Sequence, residues 1–128
     1  MKKYIFIIDD DPISIIILKK NLELIAISQE IETFSNGKDA FNYLEKEYHK
    51  NEKYVIFLDI NMPEMNGWEF LSKVEPFITS QNTTIYLLTS SINKADMEKA
   101  TQFPLIKKYL SKPICKEVLI EIKEKNKL

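Results

Sequence analysis

Short apolar runs alternate along the chain with stretches in which apolar residues recur at helical spacing. Tyr4–Ile8 is continuously apolar, as expected of a strand covered on both faces. Asp11-Pro12 then supplies a helix cap followed by proline at the first helical position. Ile15, Leu18, Leu22 and Ile25 form the buried stripe of the helix that follows. Glu30–Phe34 alternates and is rich in β-formers, which predicts a second strand, and Ser35-Asn36-Gly37 is turn chemistry. Ala40, Phe41, Leu44 and Tyr48 mark a second helix, and Val55–Leu58 a third strand.

The loop Asn61–Gly67 carries a proline and an Asn-Gly turn. After it, Phe70, Leu71, Val74 and Phe77 stripe a third helix, Thr84–Leu88 forms a fourth strand, and Asn93 caps a short fourth helix that Phe103-Pro104 ends. Leu105–Leu110 is a fifth strand, and its Lys107-Lys108 pair suits a sheet edge. Val118, Leu119 and Ile122 belong to a final amphipathic helix that ends in a charged stretch. Five βα units predict an α/β fold, a parallel sheet with helices on both faces and right-handed crossovers.

The 128 residues suffice for one domain, spanning 1–128, and the tail after residue 120 is too short for a second. A formal net charge of −1 gives no global field toward nucleic acid or an anionic membrane. No apolar run approaches the roughly 20 residues that span a bilayer. Lys2-Lys3 before Tyr4–Ile8 has the look of a signal peptide, but the run is short and an acidic triplet follows it. A single cysteine, Cys115, forms no internal disulfide and fits a reducing cytoplasm. Only two glycines are present, Gly37 and Gly67, so each is expected to mark a tight turn.

Chemistry gathers where the strands end. The first strand runs into Asp9-Asp10-Asp11, the third into Asp59, the fourth into Thr89-Ser90-Ser91, and the fifth leads through Ser111 to Lys112-Pro113. Ligands of open parallel sheets bind beyond the carboxyl ends of the strands. Carboxylates, a hydroxyl and an amine at one such edge suit a metal ion and a phosphoryl group. Like charges at 4 Å repel by about 4 kcal/mol at an effective dielectric near 20, so three carboxylates there favour a cation. Asp11, followed by proline, reads as a helix cap and not as a ligand.

With Asp9-Asp10, Leu58-Asp59, Met62-Pro63 before Asn66-Gly67, Thr89 and Lys112-Pro113, the chain resembles a response-regulator receiver domain, the phosphorylatable half of two-component signalling. The resemblance covers essentially the whole chain. It departs only at Asn66, where many receivers have aspartate. The fold implied is flavodoxin-like, with the strand order 2-1-3-4-5 that chemotaxis receivers share with flavodoxin. The resemblance implies that Asp59 is the phosphoacceptor, with Mg²⁺ held by Asp10, Asp59 and the backbone carbonyl of Asn61, and by Asp9 largely through water. Lys112 would pair with Asp59 at rest and with phosphate afterwards. Its bond to Pro113 would be cis, as is usual in the family. Thr89 would donate its hydroxyl to the phosphoryl group, and Asn61 and Ser91 would help set its lifetime.

Tyr109 would be the aromatic switch, remodelling a face made by the fourth helix, fifth strand and fifth helix. The implied protein is a stand-alone cytoplasmic switch, not a metabolic enzyme. It would be phosphorylated by a sensor histidine kinase or a histidine phosphotransfer protein and read by a downstream protein target. The rival from another class is a haloacid-dehalogenase-like phosphatase, with Asp9 of Asp9-x-Asp11 as nucleophile; the chain lacks room for its cap and a late acidic pair. A flavodoxin is disfavoured by an acidic first loop that repels a flavin phosphate. His49 reads as a surface residue, Trp68, Phe70, Leu71 and Phe77 as packing, and Cys115 as a small apolar residue near the start of the last helix.

Overall fold

The computed structural model describes residues 2–128; Met1, the first residue of the expected 1–128 domain, lies outside them. Five strands alternate with five helices: β1 (Lys3–Ile8), α1 (Pro12–Leu24), β2 (Glu30–Phe34), α2 (Gly37–Glu47), β3 (Lys53–Asp59), α3 (Gly67–Val74), β4 (Thr83–Thr89), α4 (Lys94–Ala100), β5 (Ile106–Ser111) and α5 (Lys116–Asn126). The strands form one sheet in the order β2-β1-β3-β4-β5, every pair parallel. This is the doubly wound α/β arrangement expected, with β5 at an edge.

Successive strand residues point to opposite faces, and the apolar runs therefore feed two cores. Phe6, Ile8, Ile56, Leu58, Ile85 and Leu87 pack on the side covered by α2, α3 and α4. Ile5, Ile7, Val55, Phe57, Tyr86 and Leu88 pack on the other side, against Leu18 and Leu22 of α1 and Leu119 and Ile122 of α5. A register shift in β5 pairs Ile85 with Ile106 but Tyr86 with Lys108. It leaves Lys107 and Lys108 exposed and sets Tyr109, Leu110 and Ser111 beside Leu87, Leu88 and Thr89.

The helix starts correct the reading of both Asn-Gly pairs. Neither is a turn: Asn36 and Asn66 are N-caps, and Gly37 and Gly67 are the first residues of α2 and α3. With Asn93, the Asn side chains accept from the backbone N–H three residues on, at 2.7, 2.9 and 2.8 Å. The shared pattern is Asn-x-x-Asp/Glu, and at α3 Glu69 returns a bond to the N–H of Asn66, closing a capping box. No glycine has positive φ. Gly67 is needed for space: a Cβ there would lie 2.8 Å from the carbonyl oxygen of Asp59 and 2.9 Å from Cα of Ile60. Asp11 caps α1 as expected, accepting from the N–H of Ile13 at 3.0 Å. Cys115 stands at the N-cap of α5 without a capping bond and is exposed, and His49 is also exposed.

Replacing Asn66 with Ala removes the side-chain half of the capping box, the bond accepted from the N–H of Glu69, and we expect it to lower unfolding stability by about 1 kcal/mol. Urea denaturation reads this directly; an unchanged midpoint would show that the cap contributes nothing.

Candidate functional site

Parallel pairing brings all five strand ends to one edge. Asp59 and Thr89 are the last residues of β3 and β4, Asp9 follows β1 directly, and Lys112 follows β5. Backbone bonds stitch these ends together: Lys112 N–H donates to the carbonyl of Thr89 at 2.7 Å, Ile60 N–H to that of Leu88 at 3.2 Å, and Asp9 N–H to that of Phe34 at 3.0 Å. Gly67 N–H donates to the carbonyl of Ile60 at 2.8 Å, tying the start of α3 to the residue after Asp59. The Lys112-Pro113 bond is cis, as the resemblance implied.

Asp9, Asp10 and Asp59 each place a carboxylate oxygen within 4.8 Å of the others, a group that can hold a metal ion. Their surroundings differ. Asp9 is 1% exposed and both its oxygens are engaged. One accepts from the N–H of Asp11 at 3.0 Å, the other from Lys112 Nζ at 2.6 Å. Asp59 is 5% exposed, with Oδ1 3.4 Å from Lys112 Nζ. Asp10 is exposed to solvent. Lys112 therefore sits closer to Asp9 than to the Asp59 with which it was expected to pair. Asn61 lies two residues beyond Asp59 in an exposed loop position.

The electrostatics follow from this crowding. Burial, then the charge of Asp9, pushes the Asp59 carboxyl up to about 6 against the opposing pull of Lys112. For Lys112, burial works to lower the ammonium. The hydrogen bond to Asp9 and the charges of Asp59 and Asp9 outweigh it, so Lys112 is held above its ordinary value.

Thr89 is buried at the same edge, but its hydroxyl is turned to its own loop. Oγ1 donates to the carbonyl of Ser91 at 2.9 Å and accepts from the N–H of Ser91 at 3.1 Å. Tyr109 is half-buried, and its hydroxyl is buried without a hydrogen-bond partner. Burial, and further on the charge of Asp96, raises the phenol above its ordinary value, while Thr89 and the backbone of Asn93 act to lower it. Trp68 packs as expected, stacked on Phe103 with ring centroids 5.8 Å apart.

Beside the carboxylates, α1 and the segment after β5 border a groove of about 340 Å³ lined by Ile13, Ile17, Pro113 and Ile114 as well as Asp9 and Lys112. Sequence reading assigned α1 its buried stripe and passed over these residues. The signal was present in Ile13, Ile16 and Ile17, apolar residues left over once that stripe is filled.

The family model for the response regulator receiver domain matches residues 5–124. The chain belongs to this family. The receiver domain is 32% identical over 91% of its length to the transcriptional regulatory protein FlgR of Helicobacter pylori, of which it spans 28%. It is 33% identical to the peroxide stress-activated histidine kinase mak3 of Schizosaccharomyces pombe, of which it spans 5%. A chemotaxis protein CheY homolog of Campylobacter jejuni is nearer in size: 28% identical over 91% of this chain and 86% of that one. Among solved structures, a two component response regulator from Cytophaga hutchinsonii matches with a TM-score of 0.87 and 28% identity over 98% of both chains. Membership in the receiver family sets aside the phosphatase rival. Among the described residues no helix is long and apolar enough to cross a membrane.

The raised carboxyl of Asp59 gives a signed pH dependence. Between its ordinary value of 3.8 and about 6, the folded receiver binds more protons at this site than the unfolded chain. The site's contribution to stability therefore falls as pH rises through that window. In the absence of added divalent cation, Asp59→Asn should raise the melting temperature at pH 7 by several degrees, and the gain should fade below pH 4. Thermal unfolding across this range checks it; a variant no more stable than the parent at pH 7 contradicts it.

Proposed function

We propose that this receiver domain accepts a phosphoryl group on Asp59 from a phosphohistidine of another protein, with Mg²⁺ as cofactor. The observation that carries the reading is the convergence of Asp9, Asp10 and Asp59 on one sheet edge, with the Lys112 ammonium 2.6 Å from Asp9 and 3.4 Å from Asp59. In the transfer, the P–N bond to the donor imidazole breaks as a P–O bond to the Asp59 carboxylate forms. An acyl-phosphate on a carboxylate is a known kind of covalent intermediate.

The two carboxylates that follow β1, Asp9 and Asp10, divide the work. Asp9 is held by Asp11 and Lys112 through both oxygens, which suits contact with a metal through water. Asp10, open to solvent, suits direct ligation, with Asp59 and the Asn61 carbonyl completing the protein's share of a hard-oxygen shell. When bound, the metal would offset charge on the phosphoryl oxygens, where positioning and electrostatics supply most of the assistance. Lys112 stands near enough to Asp59 to meet a phosphoryl oxygen. Thr89 would leave Ser91 to donate its hydroxyl to the phosphate, and Tyr109 would turn inward toward the space vacated. This shifts population between two arrangements of α4, β5 and α5, the face a downstream protein would read. The donor would be a sensor histidine kinase or a histidine phosphotransfer protein, met in the cytoplasm. The presence of a histidine kinase and a CheY homolog among the relatives supports a signalling role.

Incubation with Mg²⁺ and acetyl phosphate, followed by mapping of the modified residue, tests the reading. One phosphoryl group per chain should appear on Asp59, depend on the metal and vanish in Asp59→Asn. Labelling of Asp9, or rapid multiple turnover, would refute it.

A further inference from the structure

A second cavity opens at the other end of the sheet, where β1 and β3 begin. It holds about 140 Å³, far more than one water needs. Its walls are Tyr4 and Phe6 of β1, Tyr43 of α2 and Tyr54 of β3, and Glu47 and Glu52 border it, with the exposed His49. The rings do not form a simple stack. Tyr43 and Tyr54 stand at 72° and 79° to Phe6, with centroids 5.6 and 5.7 Å from it. Rings set nearly at right angles make separate walls, and an aromatic face attracts a cation through its quadrupole.

The charge around these rings has one dominant sign. Burial, and then the charges of Glu32 and Glu47, hold the Tyr43 phenol above its ordinary value. Carboxylates that oppose a phenolate favour a cation in the same place. The chain uses this chemistry once already, beside the cavity. Lys2 Nζ lies 5.1 Å from the Tyr4 ring centroid and 3.6 Å from a carboxylate oxygen of Glu30. Lys2 is not part of the cavity lining.

The deep wall selects among cations. A primary ammonium needs acceptors for three N–H groups. Phe6 has none to give, and the Tyr54 hydroxyl is already engaged. It accepts from the N–H of His49 at 2.9 Å, with the Glu47 carbonyl and a Glu52 carboxylate oxygen each at 3.4 Å. What Tyr54 and Phe6 offer is ring surface, which suits a cation that has no hydrogen to donate. We propose that this cavity binds a small quaternary ammonium compound, its methyl groups against Phe6, Tyr43 and Tyr54 and its charge beside Glu47 and Glu52. The site lies at the opposite ends of the strands that lead to Asp9 and Asp59, so it is separate from the acidic edge and independent of the phosphoacceptor reading.

Choline, and its uncharged analogue in which carbon replaces the nitrogen, provide the probes. Each is titrated into the isotope-labelled full chain and followed by amide shifts. Choline should shift the amides around Tyr4, Tyr43, His49 and Tyr54 saturably, and bind about tenfold more tightly than the uncharged analogue. Ethanolamine, a primary ammonium, should bind more weakly than choline. Tyr43→Leu should weaken choline about tenfold, while Tyr43→Phe, which keeps the ring, should restore it. Glu47→Gln, at an exposed position that leaves the fold alone, should weaken choline and leave the analogue unchanged. No saturable shifts, shifts confined to other parts of the chain, or equal affinity for choline and its analogue would overturn the proposal. So would choline binding indifferent to both Tyr43→Leu and Glu47→Gln.

Discussion

The ion pair between Lys112 and Asp9 is the contact on which the rest of the site depends. At 2.6 Å it joins the end of β5 to the end of β1, past β4 and β3, with Asp59 of the central strand 3.4 Å from the same ammonium. One ammonium faces three carboxylates, so two negative charges stay uncompensated at a largely buried edge. Burial first, and then the charge of Asp9, is why the Asp59 carboxyl rises to about 6. The excess charge also makes the edge attractive to a divalent cation, and then to a phosphoryl group that brings negative charge of its own. Holding Asp9 through both oxygens keeps the pair rigid while Asp10 stays open.

The fold serves this balance through backbone geometry. Parallel strands of matched register end together, and the two cores on either face fix where they end. The contact of Gly67 with the backbone of Asp59 and Ile60 lets α3 begin directly against the end of β3, where any side chain would intrude. Thr89 is the counterpart on the next strand. Its hydroxyl closes a small ring with Ser91, and the Tyr109 hydroxyl close by has no partner. A hydroxyl at the acidic edge bonded to its own loop, beside an unsatisfied phenol, is an arrangement with an alternative close at hand.

Much of this was legible in the chain because strands covered on both faces are written as continuous apolar runs. The residue after such a run in a parallel sheet has a predictable place. Asp9, Asp59, Thr89 and Lys112 were locatable for that reason, and Asp11 was separable from them by the proline that follows it. Pairwise distances were not legible. Which carboxylate Lys112 approaches depends on side-chain reach across three strands, and the structure chose Asp9 over Asp59. Asn36-Gly37 and Asn66-Gly67 misled because Asn-Gly is turn chemistry as well as cap chemistry. The acidic residue three positions after each asparagine was the signal that decided between them. The outer face of α1 was overlooked because a single buried stripe accounts for a helix, and the surplus isoleucines needed a surface map to stand out.

Uncompensated charge at the strand ends predicts a specific ligand requirement, and calorimetric titration with Mg²⁺ measures it most directly. The protein should bind one ion, Asp10→Asn should abolish binding, and Asp9→Asn, acting through water, should weaken it less. Absence of Mg²⁺ binding, or binding indifferent to Asp10, would contradict the view that these carboxylates are assembled around a cation.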